Sequence, residues 1–139
     1  MYPKPDHHDL PESVVLKKVL KTELGVAYMY DDVIVFEGNE GVTLSYETAF
    51  SILVKGLTYV DKPTWVYISN RIHSYSLNPQ DYIYLEKIPE LKGIAVVSNN
   101  KIGQKNAEME SAFFKKPFQS FSSLSKAFLW AKELLSKGE

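Results

Sequence analysis

Residues 64–81 read TWVYISNRIHSYSLNPQD, and this stretch decides the fold. Trp65, Val66, Tyr67 and Ile68 offer no polar face, as expected of a strand covered on both sides rather than one facing water. A polar loop follows, and then a helix start is written out residue by residue. Asn78 is a good N-cap, Pro79 suits the first helical position, and Asp81 is placed to bond back to the cap. Leu77 and Tyr82 occupy the two positions of a hydrophobic staple. A loop at the carboxyl end of a buried strand is where open α/β sheets place their sites.

Working outward, the hydrophobic pattern predicts one domain behind a short tail. Residues 1–13 hold Pro3, Pro5 and Pro11 among polar side chains and read as a loose lead-in; residues 14–139 read as a single α/β domain. Val14–Thr22 is a first strand or an extended approach to the next one. Glu23–Tyr30 and Val33–Glu37 form a hairpin turned at Asp31-Asp32, because aspartate tolerates left-handed backbone. Gly38-Asn39-Glu40-Gly41 breaks the chain. A helix begins at Ser45, with Tyr46, Ala49, Phe50, Leu53, Val54 and Leu57 as its apolar stripe. The strand Thr64–Asn70 and its loop lead to a second helix, from Pro79 to about Ile88, stopped by Pro89.

Leu91–Ser98 is another strand apolar on both faces, a third helix spans Ile102–Lys116, and Phe118–Phe121 is a short last strand. Ser122 or Ser123 caps a final helix carrying Leu124, Ala127, Phe128, Ala131 and Leu135, with Gly138 beyond its end. Buried strands joined through helices imply parallel pairing with right-handed crossovers. The expected architecture is a mixed sheet, with an N-terminal antiparallel hairpin followed by β-α-β units.

Composition narrows the function. The 139 residues carry a net charge of −1, so no global field favours nucleic acid or anionic membranes. Arg71 is the only arginine among sixteen basic residues, whereas forked recognition of phosphates and base edges favours arginine. The absence of cysteine excludes disulfides, thiol catalysis and cysteine-ligated metals. No apolar run approaches membrane-spanning length, and the first residues lack the apolar core of a signal peptide. A cytoplasmic location, with no membrane insertion and no nucleic-acid partner, is the expectation.

The order of hairpin, helix, buried strand, polar loop, capped helix, strand, and final helix after a short strand resembles the STAS domain. The resemblance runs from about Glu23 to Lys137. The segment Lys116-Pro117-Phe118-Gln119-Ser120-Phe121, ahead of a serine-capped helix with Phe128, Leu129 and Trp130, is similar to small bacterial STAS-like proteins of unassigned role. In phosphorylated members of that family the loop after the buried strand carries Asp-Ser-Ser-Gly, whose first serine a partner kinase modifies. The match implies Tyr75-Ser76-Leu77-Asn78 on that motif and Ser76 at the modified position, with three of the four residues departing from the pattern. A phosphate there would lie just before a helix N-terminus. Ser74 and Ser76 are equally ordinary loop formers.

Other chemistry is sparse. His7 and His8, with Asp6 and Asp9, are competent metal ligands, but neighbours in a tail read as solvated, and no metal or cofactor is expected. His73 is the only histidine within the predicted domain and is a candidate base toward Ser74 or Ser76. Asp31 and Asp32 read as a turn rather than a catalytic pair. No Gly-x-Ser-x-Gly elbow and no phosphate-binding glycine loop occur. Tyr67, Tyr75, Tyr82 and Tyr84 are expected near the loop, and tyrosine suits protein contact.

Two functions follow from these readings. The first is a non-enzymatic regulatory or interaction domain that binds another protein, or a second copy of itself. It would act through the 70–78 loop (Arg71, His73, Ser74, Tyr75, Ser76, Asn78) and the helix after it, and an exposed apolar patch on that helix is its signature. The second is a small-molecule binder or small enzyme with a cleft between the 69–78 and 98–103 loops.

Overall fold

The computed structural model describes residues 2–137. Gly138, expected just past the last helix, lies outside the described residues. Six strands form the main sheet: β1 (Lys18–Lys21), β2 (Gly25–Tyr30), β3 (Val33–Gly38), β5 (Trp65–Asn70), β7 (Leu91–Val97) and β8 (Phe118–Phe121), adjacent in that order. The first three pair antiparallel and the rest parallel. Asp31 turns the β2–β3 hairpin with a φ of 58°, the left-handed conformation expected there. Four helices complete the domain: α1 (Tyr46–Leu57), α2 (Tyr82–Glu86), α3 (Lys101–Ser111) and α4 (Leu124–Lys137).

The period-two alternation of the strands divides the core into two layers. Val33, Val35, Val66 and Ile68 face α4, meeting Leu124, Ala127, Phe128, Ala131 and Leu135. Ile34, Phe36, Trp65 and Ile94 face the other way, toward Ile52 and Leu53 of α1, Tyr82 of α2 and Phe114 after α3. This asymmetry follows from chain direction. The parallel strands are laid down in sequence order across the sheet, so right-handed crossovers put all three connecting helices on one face. Only α4, which crosses to no further strand, is left to cover the other.

Four expectations need correction. The α1 stripe is rotated: Ile52, Leu53 and Gly56 are buried, whereas Phe50 and Val54 are 40% and 46% exposed. At Gly56 the helix packs closely on the sheet, since a Cβ there would stand 2.8 Å from Met29 Cε. The second helix is a 3-10 turn (Pro79–Asp81) running into five α residues. Asn78 caps it by accepting from the Gln80 N–H, but Asp81 serves α1 instead, accepting from the Tyr46 N–H at 2.9 Å. The third helix stops at Ser111.

The N-terminal segment is not a loose lead-in. Tyr2 bridges Leu16, the Lys4 ammonium donates to the Val14 carbonyl, and Asp9 accepts from the Ser125 N–H at the start of α4. His8 is buried. The segment's proline and polar composition carries no periodic signal, because it is held by individual polar contacts and by Leu10 packed on the α4-side core, all with residues distant in sequence. A short parallel ladder also escaped the pattern: β4 (Thr43–Leu44) pairs with β6 (Ser76–Leu77), tying the loop after β3 to the loop after β5.

Candidate functional site

The lone arginine is turned inward. Arg71 leaves the carboxyl end of β5 and meets Glu110 of α3 in a two-pronged pair, with Nη1 and Nη2 each 2.6 Å from a carboxylate oxygen. Its Nε donates to Ser69 Oγ at 3.1 Å. Tyr82 donates to Glu110 Oε1 at 2.5 Å, and Tyr75 shares a 2.5 Å hydrogen bond with Ser69. The Arg71 guanidinium also lies 5.7 Å from the centre of the Tyr75 ring. Planar fork-to-carboxylate geometry of this kind holds both partners in orientation as well as in charge.

Burial and charge act together here. Burial opposes the charge on Arg71, but the Glu110 hydrogen bond and charge outweigh it and hold the guanidinium above its ordinary pKa. Burial, reinforced by the Glu110 charge, pushes the Tyr82 phenol well above its ordinary value, and burial does the same to Tyr67. Both phenols therefore stay protonated at neutral pH, and Tyr82 remains a donor to Glu110.

An apolar groove opens beside this cluster, between the start of α1 and α2. Leu44, Ala49, Leu77 and Leu85 line it, with Tyr67, Ser69 and Arg71 also on its wall. Its rim is aromatic: Tyr46 stacks on Tyr84 with centroids 4.4 Å apart and lies 5.1 Å from Phe50. A second, polar cleft of about 330 Å³ lies at the carboxyl ends of the parallel strands. Asn70, Arg71, Ser98, Asn99, Ser122 and Ser123 contribute to it, together with His7.

Beside that cleft stands a second buried polar group. Glu37, in β3, accepts from His8 Nε2 (2.6 Å), His7 Nε2 (2.8 Å) and Asn70 Nδ2 (2.8 Å). His8 Nδ1 lies 2.5 Å from the Tyr30 hydroxyl. Burial works against ionisation of Glu37, but these hydrogen bonds outweigh it and hold the carboxyl below its ordinary 4.5.

No family model matches this chain, and no curated protein does. Among solved structures, it is similar to an uncharacterized protein of the DUF3478 family from Shewanella loihica PV-4, described as having a SpoIIAA-like fold. The match has a TM-score of 0.50 at 14% identity and covers 94% of this chain and 99% of that one. The fold is SpoIIAA-like. The STAS-like architecture expected from the order of elements is thereby shown, while identity this low speaks to fold alone.

On the STAS-like frame, the six expected loop residues separate. Arg71 and Tyr75 join the buried cluster. His73 is exposed beside Glu40, with 3.6 Å between Nδ1 and the carboxylate, and does not line the cleft. Ser74 and Ser76 are exposed, and neither is near His73's imidazole in any hydrogen bond among the described residues. Ser76 lies in β6, where its N–H donates to the Val42 carbonyl. Asn78 fills the cap and Pro79 has no N–H, so a phosphate on Ser76 would find few free backbone donors ahead of a very short helix. Tyr67, Tyr75 and Tyr82 gather near Arg71 as expected, whereas Tyr84 turns outward to Tyr46.

The sequence reading leaves out Glu37, Glu110, Ser69, the burial of His8 and the approach of the half-exposed His7 to Glu37. One signal was present. Glu37 ends the run Val33-Ile34-Val35-Phe36, and an ionisable side chain on so apolar a strand needs partners from elsewhere in the chain.

Proposed function

We propose that this domain is a non-enzymatic regulatory or interaction module that binds another protein through the apolar groove between α1 and α2. The observation that carries the reading is the exposed aromatic and aliphatic rim. Phe50 and Tyr84 are each 40% or more accessible, and with Tyr46 between them they edge a groove lined by leucine and alanine. Apolar surface gathered in this way marks interaction sites, and rigid aromatic rings contribute contact area at low entropic cost. The patch spans two helices, with Tyr84 on α2, the helix that follows the 70–78 loop, and Phe50 on α1. Arg71 and Tyr75 stiffen the base of that loop, and Arg71 adds a polar group to the groove wall.

The test is site-specific photocrosslinking in native cells, with a photoreactive phenylalanine analogue in place of Phe50, Tyr84 or, as control, Met109 on exposed α3. The same protein captured from positions 50 and 84 and not from 109 supports the groove as the docking face. A second copy of this chain captured there makes the module a homodimer. Equal labelling from all three positions, or none from 50 and 84, sinks the proposal. The polar cleft supports a second reading, a small polar ligand at the carboxyl ends of β5 and β7, which is the usual ligand position in such sheets. Saturable shifts of Ser98 and Asn99 amides on titration with a metabolite library are what it requires.

A further inference from the structure

We propose that His7, His8 and Glu37 form a binding site for a divalent transition-metal ion of the zinc class, with an open coordination position. One ring nitrogen of each imidazole and one Glu37 carboxylate oxygen lie within 4.8 Å of one another. Two histidines and a glutamate are a borderline-soft nitrogen and oxygen set suited to zinc, and three protein ligands leave a fourth position for water or a small ligand.

The convergence is built by the backbone. Adjacent side chains on an extended strand point to opposite sides, so a His-His pair would not ordinarily share a target. Here a turn closed by the His8 N–H on the Pro5 carbonyl (3.0 Å) brings both rings to one carboxylate, their centroids 4.6 Å apart. Glu37 is fixed in a strand hydrogen-bonded on both sides, opposite Val26 of β2 and next to β5. The distances suit an ion. Ligands about 2.0–2.2 Å from zinc in tetrahedral array stand about 3.4 Å apart. Glu37 Oε2 lies 2.6 Å from His8 Nε2 and 3.0 Å from His7 Nε2, and the two rings offer nitrogens within 4.8 Å of each other. An ion therefore needs the carboxylate contacts to open by under an ångström.

The surrounding groups orient the ligands in the manner metal sites require. Tyr30 engages His8 Nδ1 and so leaves Nε2 as the coordinating nitrogen. The Tyr28 ring packs edge-on against His8 at 4.6 Å, and Asn70 holds the Glu37 carboxylate. Proton balance is straightforward. Without metal, each Nε2–H donates to Glu37; on binding, a neutral imidazole moves that proton to Nδ1, where His8 donates it to the Tyr30 oxygen. An imidazolium instead releases one proton to solvent. His7 and Asn70 also border the polar cleft, which gives the open position its access.

A plain clasp for the N-terminal segment would use the same hydrogen bonds without affinity for metal, and the experiment separates the two. The full chain, free of any affinity tag and stripped with chelator, is titrated calorimetrically with Zn²⁺, and with Co²⁺ followed by visible absorption. One equivalent of Zn²⁺ and visible Co²⁺ ligand-field bands are expected. His7→Ala should weaken binding by more than about 100-fold, beyond the loss typical of a changed outer-shell partner. His7 is half-exposed, so its near-ultraviolet circular dichroism should match wild type. Glu37→Gln should weaken binding as well, and the remote His73→Ala should leave it unchanged. No saturable binding by wild type, or binding that survives His7→Ala, overturns the proposal and leaves the clasp.

Discussion

Replacing Arg71 with alanine tests whether the buried pair anchors α3. The side chains of Arg71 and Glu110 are 13% and 7% exposed, and three charge-bearing hydrogen bonds of 2.5–2.6 Å converge on the carboxylate. Removing the guanidinium strands a buried carboxylate with only Tyr82 as partner. Breaking a buried pair from one side costs about 3–5 kcal/mol, against about 0–1 kcal/mol for an exposed one. With a urea m-value near 2 kcal/mol/M, the denaturation midpoint should fall by about 1.5–2.5 M.

A domain of ordinary stability has only about 5–15 kcal/mol to lose, so Arg71→Ala should be near the limit of folding at 37 °C. The damage should be local first. Apart from Glu110 itself, α3 contributes only Ala107 to the buried set, so its amides should lose hydrogen-exchange protection before those of β5 and β7. The decisive comparison is a double-mutant cycle with Glu110→Ala. Removing both charges leaves neither unpaired, and the double variant should be destabilised by less than the sum of the two single changes, with a coupling of about 2–3 kcal/mol. Additive losses, or a midpoint shift for Arg71→Ala below about 0.5 M, would refute the claim that the pair is desolvated and mutually dependent.

Two further perturbations follow from the same geometry. The folded pKa of Glu37 is depressed, so the unfolded chain takes up its proton first as pH falls. The stability it contributes is therefore fully present above the ordinary 4.5 and is lost as pH drops through the lower folded value; Glu37→Gln should flatten that part of the acid slope in urea midpoints, and an unchanged slope would count against the network. At Gly38 an added Cβ would stand 2.7 Å from the Tyr75 ring, so Gly38→Ala should displace Tyr75 from Ser69 and cost about 1–3 kcal/mol, visible as a lowered melting temperature with shifted Tyr75 ring resonances.

Much of the frame was legible because it is written in local chemistry. The all-apolar run Trp65–Ile68, the Asn78-Pro79 start and the Asp31-Asp32 turn each carry their own physical reason, and each holds in the structure. What escaped depends on residues that meet from far apart. His8 finds Glu37 across 29 residues, and Arg71 finds Glu110 across 39, with no periodicity to announce either meeting. The α1 stripe failed for a related reason. Its buried face includes Gly56, which packs against Met29, a contact between elements rather than a property of the helix sequence.

The sequence presents the loop after β5 as one surface, and the structure divides it. The β4–β6 ladder leaves Ser76 exposed and turns Leu77 into the groove, while Arg71 stands between the apolar groove and the polar cleft and lines both. A residue shared by two sites invites a role in communication between them, but communication requires an element with two stable arrangements. Arg71 does not offer that. Its guanidinium is held by both Glu110 oxygens, by Ser69, and over the Tyr75 ring, so leaving this position would strand a buried carboxylate. The cost of that departure exceeds what a modest ligand preference could supply. Arg71 is better understood as a partition, and a partition would let the proposed groove and cleft sites act independently: a partner docked on Phe50 and Tyr84 would have no cheap route by which to alter His7, His8 and Glu37.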